Sequence, residues 1–174
     1  ESGAVEGVVG CKMTPIPSVH GKISAGALSA YLTDMGSPHH SQPGLVALTQ
    51  STEVATVYTP EEIKAIVDVA HANGLFVHMD GARIANAAVA LGCDVRSFTK
   101  DLGVDMMSFG GTKNGMMMAE SVVVFNKDFV RDFVTLRKQN LQLASKMRFL
   151  AAQYIAYFKD GLWLENARHA NNMA

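Results

Sequence analysis

The sequence has little cysteine, almost no net charge and no long apolar run, and each absence excludes a class of protein. Cys11 and Cys93 match no metal-binding or redox spacing, so we interpret them as free thiols of a reducing compartment. We therefore predict a cytoplasmic protein without a metal site. With 15 basic and 16 acidic residues the net charge is -1, which excludes a basic nucleic-acid-binding surface. No apolar run approaches the roughly 18 residues of a membrane span, so we predict no membrane partner.

The sequence does contain enough apolar residues for one well-packed domain. A chain of 174 residues, 48% of them hydrophobic, can bury a sizeable core. Strand and helix patterns alternate up to about residue 125, which favours an α/β fold: a mainly parallel sheet with flanking helices. The predicted strands cover residues 8–16, 45–48, 75–79, 104–108 and 121–125. The predicted helices cover residues 25–35, 60–73, 82–91, 95–102 and several segments after residue 127, with an apolar stripe from 147 to 158.

The helix that follows residue 59 has the clearest start and stop signals. Thr59 can cap it, Pro60 suits the first helical position, and Glu62 stands three residues after the cap, which together form the pattern of a capping box. Gly74 is typical of the residue just past a helix end. These signals predict a sharply bounded helix leading directly into the strand at 75–79.

Polar segments follow three of the predicted strands. Asp80 comes directly after strand 75–79, Lys113 follows strand 104–108 in a glycine-rich turn, and residues 50–52 follow strand 45–48. Because ligands bind at the carboxyl ends of strands in such sheets, we expect the three segments to meet at one edge. A lysine and a carboxylate delivered in this way are what a pyridoxal phosphate site needs. The amine forms a Schiff base with the cofactor aldehyde, and the acid keeps the pyridine nitrogen protonated.

The motifs around these residues resemble a known enzyme family. Residues 78–87 (HMDGARIANA), 108–115 (SFGGTKNG) and 50–58 (QSTEVATVY) are similar to the low-specificity threonine aldolases, of the aspartate aminotransferase-like, fold-type-I superfamily. The resemblance runs from residue 1 to residue 174. It implies the large domain of a pyridoxal phosphate enzyme that cleaves L-threonine or L-allo-threonine to glycine and acetaldehyde. It also implies an amino-acid substrate and a homo-oligomer, either a dimer or a tetramer.

The resemblance assigns a role to three side chains. It implies that Lys113 carries the cofactor, that Asp80 pairs with the pyridinium nitrogen, and that Arg83 faces the active site and holds the substrate carboxylate. Arginine suits this last role because its planar fork matches a carboxylate with two parallel hydrogen bonds. Each residue also has a simpler interpretation: Lys113 as a solvated lysine, Asp80 as the cap of helix 82–91, and Arg83 as a surface residue with an ion-pair partner.

Two further site positions, His40 and Thr112, are weaker candidates. His40 matches in position a family histidine near the substrate β-hydroxyl, but His39 stands beside it, and a plain loop histidine is an equal alternative. Thr112 is a candidate for a hydrogen bond to the cofactor phosphate. Lys138 and Lys146 are candidates for phosphate or subunit contacts.

The resemblance also predicts how the chain is organised. It implies that residues 1–145 are part of the cofactor-binding large domain and that residues 146–174 are helices leading towards a small domain. The family's glycine-threonine phosphate loop, ring-stacking histidine and second carboxylate-binding arginine have no counterpart here. We therefore expect these residues to be the central part of a polypeptide roughly twice as long. Two alternatives remain: a β-eliminating lyase or aminotransferase of the same superfamily, and a non-catalytic chain that keeps the fold.

Overall fold

A four-stranded sheet forms the centre of the molecule. The computed structural model describes residues 2–174, the side chain of Phe129 excepted. In chain order the strands are β1 (Leu45–Thr49), β2 (Phe76–Gly81), β3 (Met106–Gly110) and β4 (Glu120–Val124). They lie side by side in this same order; β1, β2 and β3 are parallel, and β4 runs antiparallel to β3. The predicted mainly parallel sheet is therefore confirmed.

Helices of very different length surround this sheet. In the described part they are α1 (Ala4–Val9), α2 (Ala25–Ala30), α3 (Pro60–Ala72), α4 (Ile84–Leu91), α5 (Phe133–Gln139), α6 (Arg148–Phe158) and α7 (Leu162–Met173). Short 3-10 turns lie at Val95–Phe98, Lys100–Leu102, Thr112–Asn114, Lys127–Phe129 and Lys159–Gly161. Helix α3 packs on β2, and α7 packs on α4. None of the helices among residues 2–174 has both the length and the apolar character needed to cross a membrane.

Helix α3 begins and ends where its sequence signals predict. The hydroxyl of Thr59 accepts the backbone N–H of Glu62, and the Glu62 carboxylate accepts the backbone N–H of Thr59. Such a cap contributes about 1 kcal/mol. The ammonium of Lys22 lies 2.7 Å from the Glu62 carboxylate and adds an ion pair at the same end. Gly74 has a φ of 71° just past the other end, as a left-handed helix stop requires.

The core lies between the sheet and helices α3 and α4. Along β2, Val77 and Met79 are fully buried, whereas the alternate residues, including His78 and Asp80, are half-buried on the other face. The buried apolar residues of the two helices are Ile63, Ile66, Val67 and Ala70 of α3, and Ile84, Ala85, Ala87 and Ala88 of α4. Burying a side chain of isoleucine or valine size contributes about 1.5–3 kcal/mol. This packing fixes the ends of β1, β2 and β3 relative to one another.

The first part of the chain differs from the prediction. The apolar run at 8–16 predicts a strand, but α1 continues to Val9, and the described residues 10–18 contain no strand. Val8 and Val9 are 78% and 70% exposed, so the run has no core to pack against. Pro15 and Pro17 also lack the N–H that a strand ladder uses. Apolar composition alone does not make a strand where no neighbouring strand is available.

Three smaller differences concern the helices. Helix α2 ends at Ala30 rather than at residue 35, and the helix predicted over 95–102 is a pair of 3-10 turns. The stripe predicted over 147–158 placed Ile155 on the packed face, but Ile155 is 74% exposed and Tyr157 is 3% exposed. Leu150 and Tyr154 of the stripe do pack against the core. Tyr157 joins them, and its hydroxyl accepts a hydrogen bond from the buried side chain of Asn114.

Candidate active site

An open cleft of about 570 Å³ lies beyond the carboxyl ends of the three parallel strands. Its lining residues come from the segments that follow β1, β2 and β3, and from the last turns of α7: Ser51, Thr52, Glu53, Ala55, Val57, Arg83, Asn86, Ala90, Lys113, Ala170, Asn171 and Ala174. Lys113 and Arg83, two of the predicted site residues, line the same cleft. Convergence of the segments at this edge is what a parallel sheet predicts.

Lys113 is presented to the cleft by a tight turn. It lies in the 3-10 turn Thr112–Asn114, exposed, directly after β3. A Cβ added at Gly110 would lie 2.6 Å from the Cα of Ala82, and one added at Gly111 would lie 2.1 Å from the Met116 sulfur. Gly110 therefore lets the start of the Lys113 turn approach the chain segment that follows β2, and Gly111 leaves room for the Met116 side chain. Among residues 2–174 the Lys113 ammonium has no hydrogen bond or ion pair, so its amine is available to a ligand.

Asp80 lies at the end of β2, in register with Thr49 of β1 and Ser108 of β3. Its Oδ1 accepts the backbone N–H of Ala82 at 2.9 Å. Helix α4 begins only at Ile84, so Asp80 stabilises the turn before the helix and is not the helix cap. The carboxylate is half-buried and does not line the open part of the cleft.

Arg83 immediately precedes α4 and is half-buried. No carboxylate of the described residues forms an ion pair with it, so the simpler interpretation of Arg83 as one half of a surface ion pair is not supported. Its guanidinium lines the cleft together with Lys113. An arginine and a lysine without acidic partners make this cleft suitable for an anionic ligand.

The two weaker candidates lie outside the cleft lining. His40 is on the exposed loop before β1, where its Nε2 lies 3.8 Å from the Asp34 carboxylate and its side chain is 57% exposed. The Thr112 hydroxyl accepts the backbone N–H of Ala119 at 3.3 Å and lies 3.5 Å from the carbonyl oxygen of the same residue. Neither side chain is brought to the cleft in this structure, so their assigned roles stay predictions.

His78 lies below Asp80 on the same face of the sheet. Its Nε2 and the Ser108 hydroxyl are 3.0 Å apart. Burial lowers the pKa of His78, and the nearby charge of Asp80 offsets this only in part. A histidine with a lowered pKa is neutral near pH 7, so it supports the strand ends without adding charge beneath the cleft.

Sequence reasoning missed a set of asparagines around the cleft. Asn86 and Asn171 line it and bond to each other, and Asn114 and Asn166 lie behind Lys113. The signal was present, since asparagine is unfavourable in helix interiors and yet occurs inside both α4 and α7. No group of three or more histidine, cysteine or acidic side chains in the described range could hold a metal ion.

The family of the protein follows from comparison with known sequences. The chain matches the β-eliminating lyase family over residues 1–174, and it belongs to that family. It is 42% identical over 165 residues to the low specificity L-threonine aldolase of Pseudomonas sp. strain NCIMB 10558. It is 44% identical over 165 residues to the low specificity L-threonine aldolase of Pseudomonas aeruginosa. Each alignment covers 95% of this chain and 48% of the relative, so the chain spans about half the length of the curated relatives it matches.

The fold is also similar to that of a solved structure. The threonine aldolase of Leishmania major superimposes with a TM-score of 0.91 at 32% sequence identity. The match covers 99% of this chain and 50% of that chain. The predicted fold class, the α/β large domain of a fold-type-I enzyme, is thereby confirmed.

Proposed function

We propose that this chain carries the lysine-bearing part of a pyridoxal phosphate-dependent aldolase, which cleaves L-threonine and L-allo-threonine to glycine and acetaldehyde. The observation that carries the proposal is that Lys113 and Arg83, both without acidic partners among residues 2–174, line one cleft at the carboxyl ends of the parallel strands. Membership of the β-eliminating lyase family and the names of the Pseudomonas relatives support it.

The side chains present fit pyridoxal phosphate chemically. The cofactor needs an amine for its aldehyde, and the Lys113 amine is exposed at the cleft. It needs an acceptor for its protonated ring nitrogen, and the Oδ2 of Asp80 accepts no hydrogen bond from any other described residue. It also needs water-accessible space, which the open cleft supplies. Lys113 and Asp80 would hold the cofactor, with Thr112 as the candidate phosphate contact.

The protein side chains would bind and orient the substrate. When bound, pyridoxal phosphate supplies an electron sink for the cleavage of a bond to the substrate Cα. Arg83 would hold the substrate carboxylate with two parallel hydrogen bonds, which fixes the rotation of the amino acid about its Cα. Holding the Cα–Cβ bond in one orientation favours its cleavage over that of the other bonds, which is a positioning effect. The Asp80 carboxylate at the end of β2 would stabilise positive charge facing it.

A base must also take the proton of the substrate β-hydroxyl, and His40 or a water molecule would do so. General base catalysis contributes about 10²–10⁴-fold, so His40→Asn should slow threonine cleavage by at least the lower figure if His40 is the base. Attachment of the cofactor to Lys113 should not change. Unchanged turnover in His40→Asn would assign the proton to water, which agrees with the exposed position of His40 outside the cleft lining.

The remaining proposals concern assembly and context. We infer that residues 1–145 belong to the cofactor-binding large domain and that α6 and α7 lead on from it. We infer a homo-oligomer, a dimer or tetramer, which is supported by exposed apolar side chains such as Met117, Met118, Phe149 and Ile155. Free thiols at Cys11 and Cys93 support a reducing, cytoplasmic location.

Two measurements test the proposed function. Borohydride reduction after mixing the protein with pyridoxal phosphate, followed by peptide mapping, should place the pyridoxyl group on Lys113. A label on Lys138 or Lys146 would overturn the assignment. Acetaldehyde release from L-threonine should exceed keto-acid formation. Release of 2-oxobutyrate would instead identify a β-eliminating lyase, and 2-oxo-3-hydroxybutyrate an aminotransferase.

A further inference from the structure

Two asparagines of α7 reach the two sides of the cleft. The side-chain N–H of Asn166 donates to the carbonyl oxygen of Asn114 at 3.0 Å, next to Lys113. Asn171 bonds to Asn86, which lies in the first turn of α4 next to Arg83. One helix is therefore tied both to the segment that presents the amine and to the segment that presents the guanidinium.

On the amine side, the contacts hold the turn rather than the lysine itself. Asn114 is 7% exposed, and its side-chain amide donates to the Tyr157 hydroxyl and, at 2.8 Å, to the carbonyl oxygen of Trp163. Because a carbonyl only accepts, the orientation of the Asn114 amide is fixed. A Cβ added at Gly115 would lie 2.8 Å from the Asn166 nitrogen, so α7 lies directly against the turn.

On the guanidinium side, the contact between α4 and α7 is reciprocal. The side-chain amide of Asn86 donates to the Asn171 Oδ1 at 2.9 Å, and the Asn171 amide donates to the backbone carbonyl of Asn86 at 3.1 Å. Arg83 immediately precedes α4, and Asn86 lies three residues later in the first turn of the helix. Both residues line the cleft.

Helix propensity does not account for these asparagines. Asparagine inside a helix competes for backbone hydrogen bonds and lowers helix stability. The neighbouring Asn172 is exposed and its side chain has no hydrogen bond within the described residues. Asn166 and Asn171 are half-buried and bond to residues of other segments, Asn114 and Asn86. Asn172 thus provides a matched control on the same helix.

We propose that α7 is a spacer for the active site: Asn166 and Asn171 are positioning residues that fix the separation between the Lys113 amine and the Arg83 guanidinium. This inference rests on the proposed function, in which one amino acid lies at both groups at once. Separation matters in that arrangement because a misplacement of about 1 Å can cost roughly 10²-fold in rate. Each asparagine acts on one of the two groups, so their loss should have different consequences.

The test uses the full chain with Asn166→Leu, Asn171→Leu and the control Asn172→Leu. Asn166→Leu should slow the attachment of pyridoxal phosphate to Lys113 roughly five- to tenfold, the effect of about one hydrogen bond, and speed amide hydrogen exchange at residues 111–115. Asn171→Leu should raise KM for L-threonine by a similar factor and speed exchange at residues 84–88, with attachment unchanged. Asn172→Leu should change none of these quantities.

Two outcomes would contradict the proposed role of α7 as a spacer. One is that Asn172→Leu has the same effects as the other two variants; the second is that Asn166→Leu and Asn171→Leu change attachment and KM alike. If either leucine variant does not fold, the isosteric Asn166→Asp and Asn171→Asp, which lack the donating N–H, should show the same division. Failure of the unaltered chain to take up pyridoxal phosphate would contradict the proposed function instead. The exchange pattern at the two segments would then still decide whether α7 holds them separately.

Discussion

Two aspartates at opposite ends of neighbouring strands differ in how far the protein itself uses them. Asp105, just before β3, is 3% exposed and has both carboxylate oxygens engaged. Its Oδ2 accepts the Val77 N–H at 2.8 Å and lies 3.0 Å from His71 Nε2, and its Oδ1 accepts the Asn126 amide at 2.7 Å. Burial alone raises the pKa of Asp105, but these hydrogen bonds outweigh it and hold the pKa below the ordinary value of 3.8.

Asp80, at the end of β2, is only half-buried, and its carboxylate accepts a single hydrogen bond from the described residues, the one from the Ala82 N–H. Lys113 and Arg83 likewise form no ion pair with any acidic side chain of the described residues. A charged group saturated by its own chain serves the fold, whereas one with open hydrogen-bonding capacity beside a cleft is available for chemistry. Substitutions at the two ends should therefore separate stability from activity.

The largest effect is expected from Lys113→Ala. Lys113 carries the only amine that lines the cleft among the described residues, so its removal should abolish both cofactor attachment and threonine cleavage. The midpoint of thermal unfolding should stay unchanged, because Lys113 is exposed and unpaired in the described structure. Absorbance of the bound cofactor and acetaldehyde release measure the loss. Lys127→Ala, at another exposed lysine, is the control and should behave like the unaltered protein.

Asp80→Asn tests the same end of the sheet with a smaller change. Asparagine keeps an oxygen that can accept the Ala82 N–H, so the free energy of unfolding should change by less than about 0.5 kcal/mol. The charge is lost, and loss of one electrostatic contact at a reacting group costs about 10²-fold in turnover. Equal turnover in Asp80→Asn and the unaltered protein would show that Asp80 is structural, like Asp105.

Arg83→Lys keeps the positive charge and removes the planar fork. Hydrogen bonds to a charged group contribute about 1.5–3 kcal/mol, so KM for L-threonine should rise roughly 10- to 100-fold. Cofactor retention, measured by dialysis and absorbance, should change far less. A dominant loss of cofactor would place Arg83 at the phosphate and not at the substrate carboxylate.

Asp105→Asn should have the opposite profile. An asparagine amide directed at the donors Val77 or Asn126 leaves a buried group unsatisfied, which costs about 1–3 kcal/mol of unfolding free energy. Attachment of pyridoxal phosphate to Lys113 by the folded fraction should be normal. Asp68→Asn, which breaks an exposed ion pair with Lys64, is the matched control and should cost less than about 1 kcal/mol.

Acid unfolding sharpens the result at Asp105. Because the folded pKa of Asp105 lies below its unfolded value of 3.8, its ionised form contributes stability that is fully present above pH 3.8. That contribution is lost as the pH falls below 3.8 through the folded pKa. Denaturant midpoints measured down through this range should fall less steeply in Asp105→Asn than in the unaltered protein. Parallel curves of denaturant midpoint against pH for the two proteins would contradict the lowered pKa of Asp105. This is the smallest of the expected effects.

The sequence predicted well those features that depend on neighbouring residues. The capping box of Thr59 and Glu62, the stop at Gly74 and the alternation along β2 all appear as expected, because each is local in the chain. Strand order predicted that Asp80, Lys113 and residues 50–52 meet at one edge, since parallel strands carry their following segments there. Lys113, Ser51 and Thr52 do line one cleft, whereas Asp80 does not. The strand predicted at residues 8–16 does not form. A strand needs a neighbouring strand to pair with, and the local sequence does not show whether one is available.

Contacts between distant residues followed from the tertiary packing instead. Glycines 110 and 111 suggest close approach in the sequence, but only the packed chain shows that Ala82 and Met116 are what they approach. The pairing of Asn86 with Asn171 and the hydrogen bond between Asn114 and Tyr157 likewise join residues far apart in the chain. Local patterns specify which element forms and which residue types it carries. The partner of each buried polar group depends on how the elements pack, since a hydrogen bond needs specific distances and angles that residue type alone does not encode.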